Sequence, residues 1–147
     1  MADGSYEAHV EFSQPPQAVF EALTTVRGLA GWWSPAVGGG ADAGDVLRLD
    51  HQGEATLVLD VEAVEQPSFV GWCVRSYTLN PEWAGTKIAF RIGPGSDGGA
   101  ALAFRHDGLV PELECYDRCS RGWDYFLPSL RDYVEAGVGR PFSKPVG

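Results

Sequence analysis

Basic residues are scarce in this chain: 11 Lys and Arg stand against 20 Asp and Glu, for a formal net charge of −9. A phosphate backbone or an anionic lipid surface needs a basic footprint, so the balance argues against nucleic acid and membranes as partners. Cysteine is sparser still. Cys73, Cys115 and Cys119 make an odd number without framework spacing, which argues against a disulfide scaffold and predicts reduced thiols. No stretch is long and apolar enough to span a bilayer, and Met1 to Val10 lacks a basic region followed by an apolar run. The expectation is a cytoplasmic domain with no membrane span.

Chemical motifs are thin as well. Gly-x-Ser-x-Gly is missing, and the three His lie on separate segments with nothing to pair them with Ser or Cys. Cys115 and Cys119 have a spacing that can supply two metal ligands from a helix, but no second pair completes a tetrahedral set. The run Gly38-Gly39-Gly40 lacks the Lys-Ser or Lys-Thr of a phosphate cradle and reads, with Pro35, as a mobile loop. No catalytic residue, metal site or cofactor is therefore expected.

What is present is a core. With 147 residues, 44% of them hydrophobic and 21% charged, the chain has the size and composition of one globular domain. Five Trp demand a large interior, because indole rings are rarely left wholly in water. Tyr6 to Phe12 alternates, with Ala8, Val10 and Phe12 on one face, and predicts a half-buried strand. Pro16 opens a helix to about Thr24, and Val26 to Trp33 reads as a second short one. Five further strands are expected over 45–50, 54–65, 69–77, 86–92 and 100–106, joined as antiparallel hairpins. A long helix from about Glu112 to Ala136 carries Tyr116, Cys119, Trp123, Phe126, Leu127, Leu130, Tyr133 and Val134 at helical spacing, with a bend expected at Pro128 and a stop at Gly137. The domain spans about 6–137, and 138–147 reads as a tail.

Alternation singles out the candidate ligand-binding residues. Leu102, Phe104 and His106 share one face; Trp72 lies with Val70 and Val74, and Phe90 with Ile88 and Ile92. Trp123 and Phe126 would meet them from the helix, and Trp33 stands where one ring could form a cavity mouth. His106 could bind a ligand or shuttle a proton, but a structural imidazole bonded to a backbone carbonyl beside Gly108 is the favoured reading. Arg75 alternates with Phe69, Cys73 and Tyr77 and is expected in solvent, as are Asp60 and Glu62.

Four segments carry a resemblance to a known family. The Pro-led helix PQAVFEALT (16–24), the paired-Trp segment Leu29-Ala30-Gly31-Trp32-Trp33-Ser34-Pro35, the strand end His106-Asp107-Gly108-Leu109, and Gly122-Trp123 followed by Leu127 and Leu130 are similar to the activator of HSP-90 ATPase-like proteins. One departure is Gly44-Asp45, where that family often has a glycine pair. The resemblance covers about Val10 to Gly137 and implies an α+β helix-grip fold of the START and birch-pollen-allergen-like superfamily, with a curved antiparallel sheet of about six strands around the C-terminal helix. Members of that superfamily bind lipids, hormones or polyketides and only some catalyse reactions, so together with the aromatic inner faces the resemblance implies a domain that binds a small hydrophobic molecule, lipid-, polyketide- or aromatic-like, more than an enzyme. Its alternatives are a co-chaperone-like interaction domain with a chaperone or other protein as partner, and a cyclase or hydrolase using His106; a monomer or homodimer fits each.

Overall fold

The computed structural model describes residues 5–33, 36–39, 42–50, 56–78, 81–110 and 116–139. Strand β1 (Ser5–Phe12) is followed by helices α1 (Pro16–Thr24) and α2 (Val26–Trp32), strands β2 (Ala36–Gly39), β3 (Val46–Asp50), β4 (Thr56–Glu65), β5 (Phe69–Tyr77), β6 (Lys87–Pro94) and β7 (Ala100–Asp107), and helix α3 (Tyr116–Ala136). The strands form one antiparallel sheet in the order β1-β7-β6-β5-β4-β3-β2, and α3 packs against β1, α1 and α2. This is the α+β helix-grip arrangement.

Among the described residues the sheet has seven strands, the short edge strand β2 lying beside the six expected. Ala36–Gly39, expected as part of a glycine-rich loop, pairs with β3 at the sheet edge. Ladder bonds come from the backbone, so glycine can supply them where only one neighbour must be matched. Residues 111–115, where the helix was expected to begin, lie outside the described residues, as do Cys115 and the tail from 140.

Alternation places the core. Leu57, Leu59 and Val61 on β4, Val70, Trp72 and Val74 on β5, Ile88, Phe90 and Ile92 on β6, and Leu102, Phe104 and His106 on β7 all turn inward and are buried. Register joins them into rows. Tyr6 pairs with His106, His106 with Ile88, and Ile88 with Trp72; the next row runs Ala8, Phe104, Phe90, Val70. The outer face carries the charges, including the exposed pairs Arg75–Asp60 at 2.6 Å and Lys87–Glu62 at 3.4 Å. Such pairs contribute little to stability.

Two register shifts between β4 and β5 break the alternation. Leu57 pairs with Tyr77 but Leu59 with Val74, so one extra residue is accommodated on β5. Tyr77 thus turns into the core, although strict alternation puts it on the face of Arg75. Bulges of this kind bend and twist a sheet, which lets it wrap a helix.

The helices are pinned by specific contacts. Pro at the first turn of α1 costs no hydrogen bond, and Val19, Phe20, Ala22 and Leu23 form its buried stripe. Trp32 Nε1 donates to the Ala22 carbonyl at 2.9 Å, tying α2 to α1, and the buried Ser129 hydroxyl of α3 donates to the Trp32 carbonyl at 2.8 Å. Ser13 donates through its backbone N–H (3.1 Å) and hydroxyl (2.6 Å) to Glu135, and these bonds hold the Glu135 carboxyl below its usual range. A Cβ on Gly31 would lie 2.3 Å from the Tyr133 ring, so only glycine lets α2 and α3 approach this closely. α3 runs unbroken through Pro128 to Ala136 and ends at Gly137, whose φ of 79° suits a residue without Cβ.

Candidate functional site

Between the sheet and α3 lies a layer of aromatic rings. Trp33 stacks on Trp32 (5.4 Å between centroids, 17°) and on Trp72 (5.7 Å, 18°), and tilts against Trp123 at 5.2 Å. Trp72 meets Phe90 edge-on at 5.0 Å, Phe90 lies 5.2 Å from Phe104, and Phe104 lies 4.5 Å from Trp123. Six of the seven candidate residues, Trp33, Trp72, Phe90, Phe104, His106 and Trp123, therefore form one connected, buried cluster. Phe126 stands apart. It is only partly buried and makes its ring contact with Tyr125 at 5.0 Å.

His106 is fully buried, and both of its nitrogens are engaged. Trp123 Nε1 lies 3.1 Å from Nδ1, and Thr86 Oγ1 lies 2.9 Å from Nε2. An indole nitrogen can only donate, so Nδ1 accepts and the ring proton resides on Nε2. Nε2–H then donates to Thr86, whose hydroxyl donates in turn to the Trp83 carbonyl at 2.6 Å. Burial drives the His106 pKa down to about 3, opposed by the Asp107 carboxylate. The imidazole is neutral, and its partners are side chains rather than the backbone carbonyl expected. In this arrangement neither nitrogen is open to a substrate proton.

Two members of this network were missed in the sequence. Trp83 lies in a short 3-10 turn, Pro81–Trp83, where no periodicity marks it; its ring stands 4.6 Å from His106, 6.0 Å from Trp123 and 4.8 Å from Tyr77. Thr86 was findable. It precedes Ile88, Phe90 and Ile92 by the same alternation.

One polar atom of the layer is left over. Among the described residues Trp72 Nε1 is buried without a hydrogen-bond partner, whereas Trp32 and Trp123 each place their indole N–H on an acceptor.

An opening of about 410 Å³ lies between β1 and α3, lined by Tyr6, Ala8, His9, Val10 and Glu11 from the strand and Asp124, Leu127, Pro128 and Arg131 from the helix. None of the seven candidate residues lines it. It starts where the inner-face rows reach the sheet edge. Tyr6 marks the boundary, with its ring edge-on to Phe104 at 6.1 Å and its hydroxyl donating to the Asp124 carboxylate. Burial, then the bonded carboxylate, raises the Tyr6 pKa.

Of the other candidates, Arg75 is in solvent, as expected, and its guanidinium donates to both Asp60 oxygens at 3.2 and 2.6 Å. Cys73 is a free thiol whose pKa is raised by burial. Among the described residues no group of His, Cys, Asp and Glu could hold a metal ion, and no helix is long and apolar enough to cross a membrane.

A sequence model of the family described as Activator of Hsp90 ATPase homolog 1-like protein matches residues 13–135. Among solved structures, the Aha1 dimer from Colwellia psychrerythraea superposes with a TM-score of 0.81 at 24% identity, over 95% of this chain and 100% of that one. DynU16, from the dynemicin biosynthetic locus, gives 0.78 at 19% identity over 94% of this chain, which spans about half (49%) of DynU16. CalU16 from Micromonospora echinospora gives 0.70 at 20% identity, over 88% of this chain and 73% of that one. At these identities the likeness establishes the fold. No curated protein matches the chain.

Proposed function

The chain belongs to the Activator of Hsp90 ATPase homolog 1-like family, and from that premise we propose that it binds a small hydrophobic molecule between its sheet and α3. The observation that carries this reading is the opening between β1 and α3. Its volume of about 410 Å³ is that of a small-molecule site, and Ala8, Val10, Leu127 and Pro128 give it apolar lining beside Tyr6, His9, Glu11, Asp124 and Arg131. A similar fold in a protein from a biosynthetic locus supports a small-molecule ligand.

The aromatic layer is the inner wall in this proposal. Trp33, Trp72, Phe90, Phe104 and Trp123 offer flat apolar surface, Phe126 stands outside that layer, and His106 contributes by fixing Trp123 rather than by chemistry. Tyr6, held by Asp124, separates groove from layer, so a ligand deeper than the groove must turn that ring aside. Such a shift costs one exposed hydrogen bond, about 1 kcal/mol.

The test is a titration with the neutral fluorophore diphenylhexatriene. Saturable, near-equimolar binding with quenching of Trp emission is expected, weakened about tenfold or more by Ala8→Phe, which fills the groove. Absence of saturable binding to the folded wild type would count against the reading.

A further inference from the structure

The unpartnered Trp72 N–H carries more than a general preference for apolar ligands. Trp72 is 1% exposed, its Nε1 is fully buried, and no acceptor among the described residues reaches it. Leaving a buried donor unpaired costs about 1–3 kcal/mol, and native proteins leave few such groups. Two rings flank the indole, Trp33 stacked on it and Phe90 edge-on, and a ring face is at best a weak acceptor. A buried water needs two or more polar partners. Along the row the next polar residue is His106, its backbone two strands away, and both of its nitrogens are already bonded.

We propose that Trp72 Nε1–H is a ligand-recognition donor for a molecule that passes Tyr6 from the groove into the aromatic layer, and that this molecule is a neutral, flat, apolar compound carrying a carbonyl-type oxygen. This rests on the ligand-binding reading above and narrows its chemistry. The acceptor must be neutral because the buried residues described include no Lys, Arg, Asp or Glu, and His106 is uncharged. Beside Trp72 a carboxylate would be stripped of water with no buried cation to meet it, since Arg131 stands at the groove between β1 and α3. A plain hydrocarbon would leave the N–H orphaned. A ketone oxygen in the plane of the indole satisfies it and recovers the cost borne by the free protein.

The experiment compares 9-fluorenone with fluorene, which share a tricyclic skeleton and differ in one carbonyl. Both are titrated into the ¹⁵N-labelled full chain while the indole N–H resonances are followed. Fluorenone should bind about tenfold or more tightly. The Trp72 proton should move downfield with fluorenone alone, while those of Trp32 and Trp123, which keep their acceptors, move little. Trp72→Phe should weaken fluorenone more than fluorene and so bring their ratio close to one, whatever it does to the affinity they share; should that variant fail to fold, the Trp72 resonance in the wild type still decides. Equal affinities with an unmoved Trp72 proton overturn the donor assignment and leave the ligand-binding reading standing. A persistent water cross-peak at Trp72 Nε1–H that fluorenone does not remove also overturns it. Failure of both compounds to bind overturns both.

Discussion

Replacing Trp123 tests the packing of the aromatic layer. Its indole is 2% exposed and has Trp33, Trp83, Phe104 and His106 within 4.5–6.0 Å, so Trp123→Ala removes a ring walled on several sides. Lost transfer energy and the remaining void should cost about 3–5 kcal/mol. The truncation also leaves His106 Nδ1 as a buried acceptor without a donor, worth about 1–3 kcal/mol more if nothing relaxes. Partial collapse around Trp33 and Trp83 should bring the total to about 4–6 kcal/mol. Trp123→Phe keeps a ring but loses the N–H, and should cost about half as much. Urea melts followed by far-ultraviolet circular dichroism, which do not depend on the deleted fluorophore, give both values, provided the slope with denaturant is unchanged. A loss below about 0.5 kcal/mol for Trp123→Ala, the level of a surface site, would refute the packing argument.

Three further outcomes follow from the same contacts. His106 is held neutral with a folded pKa of about 3, below its unfolded value near 6.5, so the unfolded state takes up the proton first; stability should be intact above pH 6.5 and fall by about 1.4 kcal/mol per pH unit between 6.5 and 3. His106→Gln should remove that slope from the pH-dependent melts, and an unchanged slope would contradict the assignment. Gly31→Ala should cost about 1–3 kcal/mol through the clash with Tyr133, and the combination with Tyr133→Ala should cost less than the sum of the two, as read from a double-mutant cycle. Tyr6→Phe should lose about 1 kcal/mol or less in urea melts, since its bond to Asp124 is exposed, while speeding the entry of diphenylhexatriene in stopped-flow mixing; a slower entry would contradict the boundary role of Tyr6.

Element types were legible because each segment repeats with one period. Leu102, Phe104 and His106 at period two, and Trp123, Leu127 and Leu130 at helical spacing, can only be buried as a set. The clustering of Trp72, Phe90, Phe104 and Trp123 follows from those faces. What stayed hidden depends on register or on backbone alone. The extra residue of β5 that turns Tyr77 inward leaves no mark in composition, and β2 is built from residues whose pairing needs no side-chain pattern. Trp83 enters the core from a turn, and the Tyr6–Asp124 contact joins residues 118 apart in sequence. Nor could alternation reveal that His106 has its nitrogens bonded while Trp72 does not.

The central claim, a ligand between sheet and α3, is tested most directly by where a bound molecule sits. Isotope-filtered nuclear Overhauser spectra of the ¹³C-labelled protein with unlabelled fluorenone should give contacts to the methyls of Ala8, Val10 and Leu127 and to the rings of Phe104 and Trp123, and none to Val46 or Val58 on the outer face. Contacts confined to Val46 and Val58, with Leu127 and Trp123 silent, would contradict the account.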